Sequence, residues 1–264
     1  METVLSLPPS VVVLIRTTHP AVDTVYQVGD GAVTLWDSQS GSVSPIETSM
    51  NRLSFLQWSL ESELVIGTQT GNLLIYNKER VQLTSIIGKH NGSIICGDWD
   101  GENQLALGST DSMLSISDKD GDTTREFNLE EVPCGITFND SSITDKSRPV
   151  VIVSSHHAWH YTEQTSKPTR LPTTKAYGEI LYHHWLSHDS ILLAHRNGYL
   201  VSLKTDGTEE VWSKEVCAES MDAAVYSPSE RKVAVAGMSI QAFHLRENNS
   251  SSLLDSLYFF FFSY

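Results

Sequence analysis

Residues 64–76 read LVIGTQTGNLLIY, and residues 105–117, which begin 41 positions later, read LALGSTDSMLSIS. Each stretch is a short apolar run, a tight turn and a second apolar run. Runs of four to six residues bounded by Gly, Asp, Asn and Thr are strands joined by hairpin turns. The sequence therefore predicts strands at Leu64–Thr68, Leu73–Tyr76, Leu105–Ser109 and Met113–Ile116. The same pattern returns as ILLA (191–194) with Leu200–Leu203 after Asn197-Gly198, and as Val233–Ala236 before Gly237. No segment shows the i, i+3, i+4, i+7 apolar stripe of a long helix.

Landmarks outside these runs share the spacing. An aromatic residue followed by Ser, Asp or a similar turn residue stands at Trp58, Trp99, Phe138, Trp185 and Tyr226, with steps of 41, 39, 47 and 41. A second series at another phase ends in Trp36-Asp37, Tyr76-Asn77 and Ser117-Asp118, with steps of 40 and 41. It continues less regularly near His160, Leu203 and Phe243. A repeat of about 40–45 residues holding four short strands is the signature of a β-propeller blade. One such sheet leaves both faces exposed, and stacking neighbouring sheets covers them. The expectation is an all-β, WD-repeat-type β-propeller.

The 264 residues divided by a mean step of 42 give about six blades. WD-type rings usually close at seven, so an incomplete propeller, a piece of a larger chain, is expected. The propeller is assigned to residues 1–247, and the aromatic end 248–264, with its run Phe259–Phe262, is set apart as a non-propeller tail. Val11–Ile15 reads as a strand rather than a secretory leader, because no cation precedes it and Pro8 and Pro9 stand before it. In the fourth unit, Asn139–Arg148 and Thr162–Thr174 are polar and read as rim loops around the strand Val150–Ser154.

Composition narrows the function. Lys and Arg total 18 against 32 Asp and Glu, a formal charge of −14. A phosphate-tracking surface needs a basic stripe, so a nucleic-acid binder is disfavoured. Adhesion to an anionic membrane is disfavoured on the same ground, and no apolar run approaches the ~20 residues of a membrane-spanning helix. Cys96, Cys134 and Cys217 are three, widely spaced, and form neither a disulfide framework nor a CxxC zinc pair. They fit reduced thiols in a cytosolic protein.

The stretch from Leu53 to Leu129 carries a specific likeness: LSFLQWS (53–59), VIGTQTGNLLIYN (65–77), GKHNGSIICGDW (88–99), ENQLALGSTD (102–111) and SDKDGDT (117–123). In this order and spacing they resemble the WD-repeat protein 19 family, subunits of intraflagellar transport complex A. YGEILYHHW (177–185) and NGYLVSL (197–203) continue the resemblance within about residues 25–245. It implies a non-catalytic scaffold in retrograde ciliary transport and cilium assembly. The implied partners are other complex A subunits, and the implied location is the cytoplasm, the cilium and the ciliary base. The family also carries helical repeats after its propellers, and this chain does not.

Candidate chemical residues were weighed against that reading. His90 stands where WD repeats place a histidine that bonds through Ser/Thr and Asp to a Trp, with Ser109 and Asp111 downstream. Ser117 occupies the Trp position, so a partial, structural network is expected. No Gly-x-Ser-x-Gly elbow supports a catalytic triad. His156, His157 and His160 form one histidine group, and His183, His184 and His188 another. Neighbours on a strand point to opposite faces, so His183 and His184 are poorly placed to share an ion. Asp118, Asp120 and Asp122 suggest calcium, but Gly121 comes one residue early for an EF-hand and a hairpin turn reads better. The glycines of GDGAV (29–33) and GTQTG (67–71) read as hairpin turns, not phosphate loops. The reading expects no catalytic, cofactor-binding or metal-binding residues. The rivals are a WD-repeat adaptor of coat or degradation machinery and a metal-dependent propeller enzyme.

Overall fold

The computed structural model describes residues 16–18, 23–28, 32–37, 41–139, 148–207, 210–218, 220–237, 240–245 and 254–260. Val11–Ile15 and the turn residues 29–31 lie outside them, as does most of the first expected rim loop, 140–147.

Every expected strand within the described residues is present, and every sheet is a four-stranded antiparallel meander. The first contains β1 (Arg16–Thr18), β2 (Asp23–Val28), β3 (Ala32–Asp37) and β4 (Val43–Glu47). The second contains β5 (Leu53–Trp58), β6 (Glu63–Thr68), β7 (Leu73–Asn77) and β8 (Gln82–Ile86). The third contains β9 (Ile94–Trp99), β10 (Leu105–Ser109), β11 (Met113–Ser117) and β12 (Thr123–Asn128). The fourth contains β13 (Pro133–Phe138), β14 (Val150–Ser154), β15 (Ala158–Tyr161) and β16 (Thr169–Arg170). The fifth contains β17 (Ile180–Trp185), β18 (Ser190–His195), β19 (Tyr199–Lys204) and β20 (Glu210–Glu215). The sixth contains β21 (Ala223–Ser227), β22 (Lys232–Ala236), β23 (Ile240–Leu245) and β24 (Leu254–Phe260). One 3-10 turn, Lys175–Tyr177, leads into the fifth sheet.

The contacts divide the chain into two compact units, residues 1–133 and 134–264. In the first unit, alternation along the central strands covers both faces of the second sheet. Leu64, Ile66, Leu74 and Tyr76 pack with Val33, Leu35 and Ile46 of the first sheet. Val65, Leu73 and Ile75 point the other way and pack with Ile94, Trp99, Leu105 and Leu107 of the third. The second unit repeats the device. Ile191, Leu193 and Leu203 meet Val151 and Val153, while Leu192, Ala194 and Leu200 meet Val233, Val235 and Phe243. A strand buried on both faces has no polar side, which is why LVIGT and ILLA are continuous apolar runs.

Two findings differ from the sequence reading. Thr162–Thr174 is not purely loop: Thr169–Arg170 pairs with His160 and Trp159 as the fourth strand of its sheet. Two ladder positions are too short for strand periodicity to show. Leu254–Phe260 pairs with β23, Leu254 opposite Leu245 and Phe260 opposite Ile240. The fourth strand of the last sheet thus falls within the segment set apart as a tail. Among the described residues no helix is long and apolar enough to cross a membrane.

Candidate functional site

The repeated landmarks are turn-closing devices. Trp58, Trp99, Phe138 and Trp185 are each the last residue of the first strand of a sheet and are buried. The next residue starts the hairpin. Ser59 Oγ accepts from the backbone N–H of Glu61 and Glu63 at 3.2 and 3.0 Å. Asp100 Oδ1 does the same for Glu102 and Gln104 at 2.9 and 2.6 Å. The second series closes the last hairpin of a sheet: Asn77 Oδ1 accepts from Arg80 N–H at 2.9 Å, and Asp118 Oδ1 from Asp120 and Asp122 N–H at 3.1 and 2.9 Å. The DKDGD segment is thus a hairpin turn between β11 and β12, and Asp118 serves the backbone.

An antiparallel meander puts its first and third turns at one end and its second turn at the other. In the first unit, a cleft of about 450 Å³ opens among the turns of the first kind. Its charged walls are Glu61, Glu63, Glu79 and Asp120 against Arg80 and Lys119. Glu63 accepts from Asn77 Nδ2 at 3.2 Å, and Lys119 pairs with Asp120 at 3.4 Å. These are exchanges between neighbouring side chains on an open, mixed-charge surface, suited to contact with another protein rather than to a reaction.

At the opposite end lies His90. Its Nε2 is 2.9 Å from Ser115 Oγ, and its Nδ1 is 3.5 Å from Asp111 Oδ1. Asp111 also accepts from Asn91 N–H at 2.8 Å and Met113 N–H at 3.0 Å, and its own N–H reaches Ser109 Oγ at 3.3 Å. Burial pushes the imidazole pKa down and outweighs the upward pull of Asp111. A neutral ring with its Nδ1–H toward the carboxylate leaves Nε2 to accept from the Ser115 hydroxyl. The expected partners Asp111 and Ser109 are in place, but Ser115 was missed. It lies two residues before Ser117, hence on the same face of β11, and that spacing was the available signal. Ser117, at the Trp position, accepts instead from Lys89 Nζ at 2.6 Å, and Lys89 also reaches Gly121 O at 2.8 Å and Thr123 Oγ1 at 2.6 Å. The histidine network is therefore partial, and a lysine ties the strand where an indole is missing. Burial lowers the Lys89 pKa against the pull of Asp118, Asp122 and Glu126.

The histidine groups are dispersed. His183 and His184 point to opposite faces of β17. His183 Nε2 is 2.8 Å from Thr137 Oγ1, over Gly135, where an added Cβ would lie 2.4 Å from the ring. Burial and the adjacent His184 push the His183 pKa down to about 4. His184 packs instead between Tyr182 and Tyr226, at ring separations of 6.3 and 5.2 Å. His157 and His160 lie edge-on to Trp159 and Trp185 respectively, and His188 is exposed beside Asp189. His156 N–H donates to Ser154 Oγ at 3.4 Å. Among the described residues no three His, Cys, Asp or Glu side chains are grouped to hold a metal ion.

Four-stranded meanders at a 41-residue step, apolar on both faces and closed by side-chain-capped turns, define a β-propeller of the WD-repeat class. The solved structures agree at the level of fold. A chain of a mitotic checkpoint complex matches with a TM-score of 0.74 at 14% identity, covering 94% of this chain and 78% of that one. The Cps50 (Swd1) β-propeller domain of Myceliophteria thermophila matches with a TM-score of 0.62 at 14% identity, covering 79% and 72%. The chain belongs to the family described as WDR19 first beta-propeller, which matches residues 21–253. It is 28% identical to WD repeat-containing protein 19 of Mus musculus over 88% of this chain. The Homo sapiens protein of that name is 29% identical over 77%, and WD repeat-containing protein dyf-2 of Caenorhabditis elegans 26% over 68%. The chain spans 18%, 16% and 14% of the length of these three relatives.

Proposed function

We propose that the chain is a non-catalytic scaffold that works by protein–protein contact in an intraflagellar transport complex A particle, in retrograde ciliary transport and cilium assembly. Its partners are the other subunits of that complex, and its place is the cytoplasm, the ciliary base and the cilium. It neither binds nucleic acid nor inserts into a membrane. The observation that carries this reading is the family match over residues 21–253. The geometry supports it: the polar side chains that drew chemical attention are engaged in tying turns and strands together. A stack of rigid sheets presenting short turns at its ends is a docking surface that needs no activated group.

The test is co-purification. The tagged chain, expressed in ciliated cells, is expected to bring down complex A subunits while remaining monodisperse in size-exclusion chromatography. A monodisperse chain that recovers none of them sinks the complex A assignment and leaves the family membership intact.

A further inference from the structure

The outermost strand of each sheet offers unpaired backbone groups to any additional strand, and proteins normally guard such edges with charge, proline, brevity or a bulge. Five of the six outer strands here are guarded. β4 contains Pro45 and Glu47. β12 contains Arg125 and Glu126, and its ladder shifts register between Ile116 and Ser117. β16 has two residues. β20 contains Glu210, Lys214 and Glu215 and faces a register shift between Ser202 and Leu203. β24 contains Asp255 and faces a shift between Gln241 and Phe243.

β8 carries none of these devices. Gln82–Ile86 is uncharged and free of proline, and it pairs with β7 in unbroken register. Its sheet ends there. Val81 and Ile87 flank it, 76% and 71% exposed, the most exposed large hydrophobic residues among those described. Val81 also has φ +51°, a region that a β-branched residue rarely occupies. The run Val81–Ile87, VQLTSII, is thus seven residues of strand-forming, uncharged chain at an open edge.

We propose that β8 is a docking edge for a second copy of this chain, two β8 strands pairing antiparallel about a two-fold axis at Thr84. That register sets Val81 against Ile87, Gln82 against Ile86 and Leu83 against Ser85 of the other copy. Beyond the strand it sets Glu79 against Lys89 and Arg80 against Gly88, so no like charges are opposed and one opposite-charge pair is gained at each end. Such self-complementarity is what an isologous contact requires. Two seven-residue strands bury well under the ~1,200 Å² of a standard stable interface, so the dimer is weak and concentration-dependent.

Sedimentation velocity from about 1 to about 300 μM tests this, a range that brackets weak association. The expected result is a rising dimer fraction that the double substitution Val81→Lys/Ile87→Lys weakens at least tenfold with an unchanged circular dichroism spectrum; both residues are exposed, so the fold tolerates the change. In a Cys134→Ser background, which removes the exposed thiol, Thr84→Cys is expected to form an inter-chain disulfide on mild oxidation. Gln82→Cys, facing Ile86 rather than itself, is not. A chain that stays monomeric throughout overturns the proposal. So does a dimer untouched by the two lysines, or one that Thr84→Cys fails to cross-link.

Discussion

His90 shows how a single buried side chain serves the fold. Its imidazole bridges Ser115 and Asp111, and removing it leaves their polar atoms short of a partner. His90→Ala is expected to cost about 2 kcal/mol, read as a lowered urea midpoint at unchanged slope. His183 makes a pH prediction. Its folded pKa of about 4 lies below the ordinary 6.5, so below pH 6.5 the unfolded chain binds the proton more readily. Stability is full above pH 6.5 and falls as the pH drops toward 4, by about 2 kcal/mol at pH 5 from this residue. His90, His160 and His195, also lowered by burial, act in the same direction. Urea titrations at pH 7.5 and pH 5 check this, and His183→Gln is expected to flatten the dependence. Val81 is strained and exposed, so Val81→Asn is expected to raise stability by about 1 kcal/mol. A fall in melting temperature would contradict that.

Between the second and third strands of a sheet one turn recurs, and it depends on the residue at its left-handed position. Gly71, Ser112 and Gly198 occupy that position with φ +79°, +65° and +83°. Each donates its N–H three residues back, to Thr68, Ser109 and His195. Each then offers its carbonyl to the chain on its way to the next sheet, to His90, Leu129 and Cys217 N–H. A Cβ on Gly71 would lie 2.0 Å from His90 O, and one on Gly198 1.9 Å from Cys217 O. Gly71→Ala and Gly198→Ala therefore combine backbone strain with a clash against backbone, and each is expected to cost 3 kcal/mol or about that. Ser112→Gly relieves strain at the matching turn and is expected to gain about 0.5–1 kcal/mol. Thermal melts of the three variants check the opposite signs. The turn explains why GTQTG and the Asn197-Gly198 pair were legible in sequence, whereas STDS, lacking glycine, was recognised through its flanking runs.

For the whole molecule, the formal charge of −14 predicts that duplex DNA is not retained at about 50 mM salt in a filter-binding assay; tight retention would reveal a basic surface that composition does not suggest. The four-stranded unit and its number were legible because burial on both faces writes a continuous apolar run into every central strand, and because each hairpin needs a capping residue at a constant step. The WD-repeat class and the family were legible from the motifs between Leu53 and Leu129. The outer strands were less so: Thr169–Arg170 and Leu254–Phe260 are held by pairing with a neighbour rather than by an apolar pattern of their own. The histidines looked like candidate ligands in sequence because proximity along a strand resembles proximity in space. The pleat separates His183 from His184, and the sheets bring His90 to Ser115 and Lys89 to Ser117. Periodic burial and turn chemistry are local, so the chain's own sequence determines them. Which polar side chains meet across strands, and which sheet edge is left unguarded, depends on packing between elements distant in sequence, and only the tertiary structure decides it.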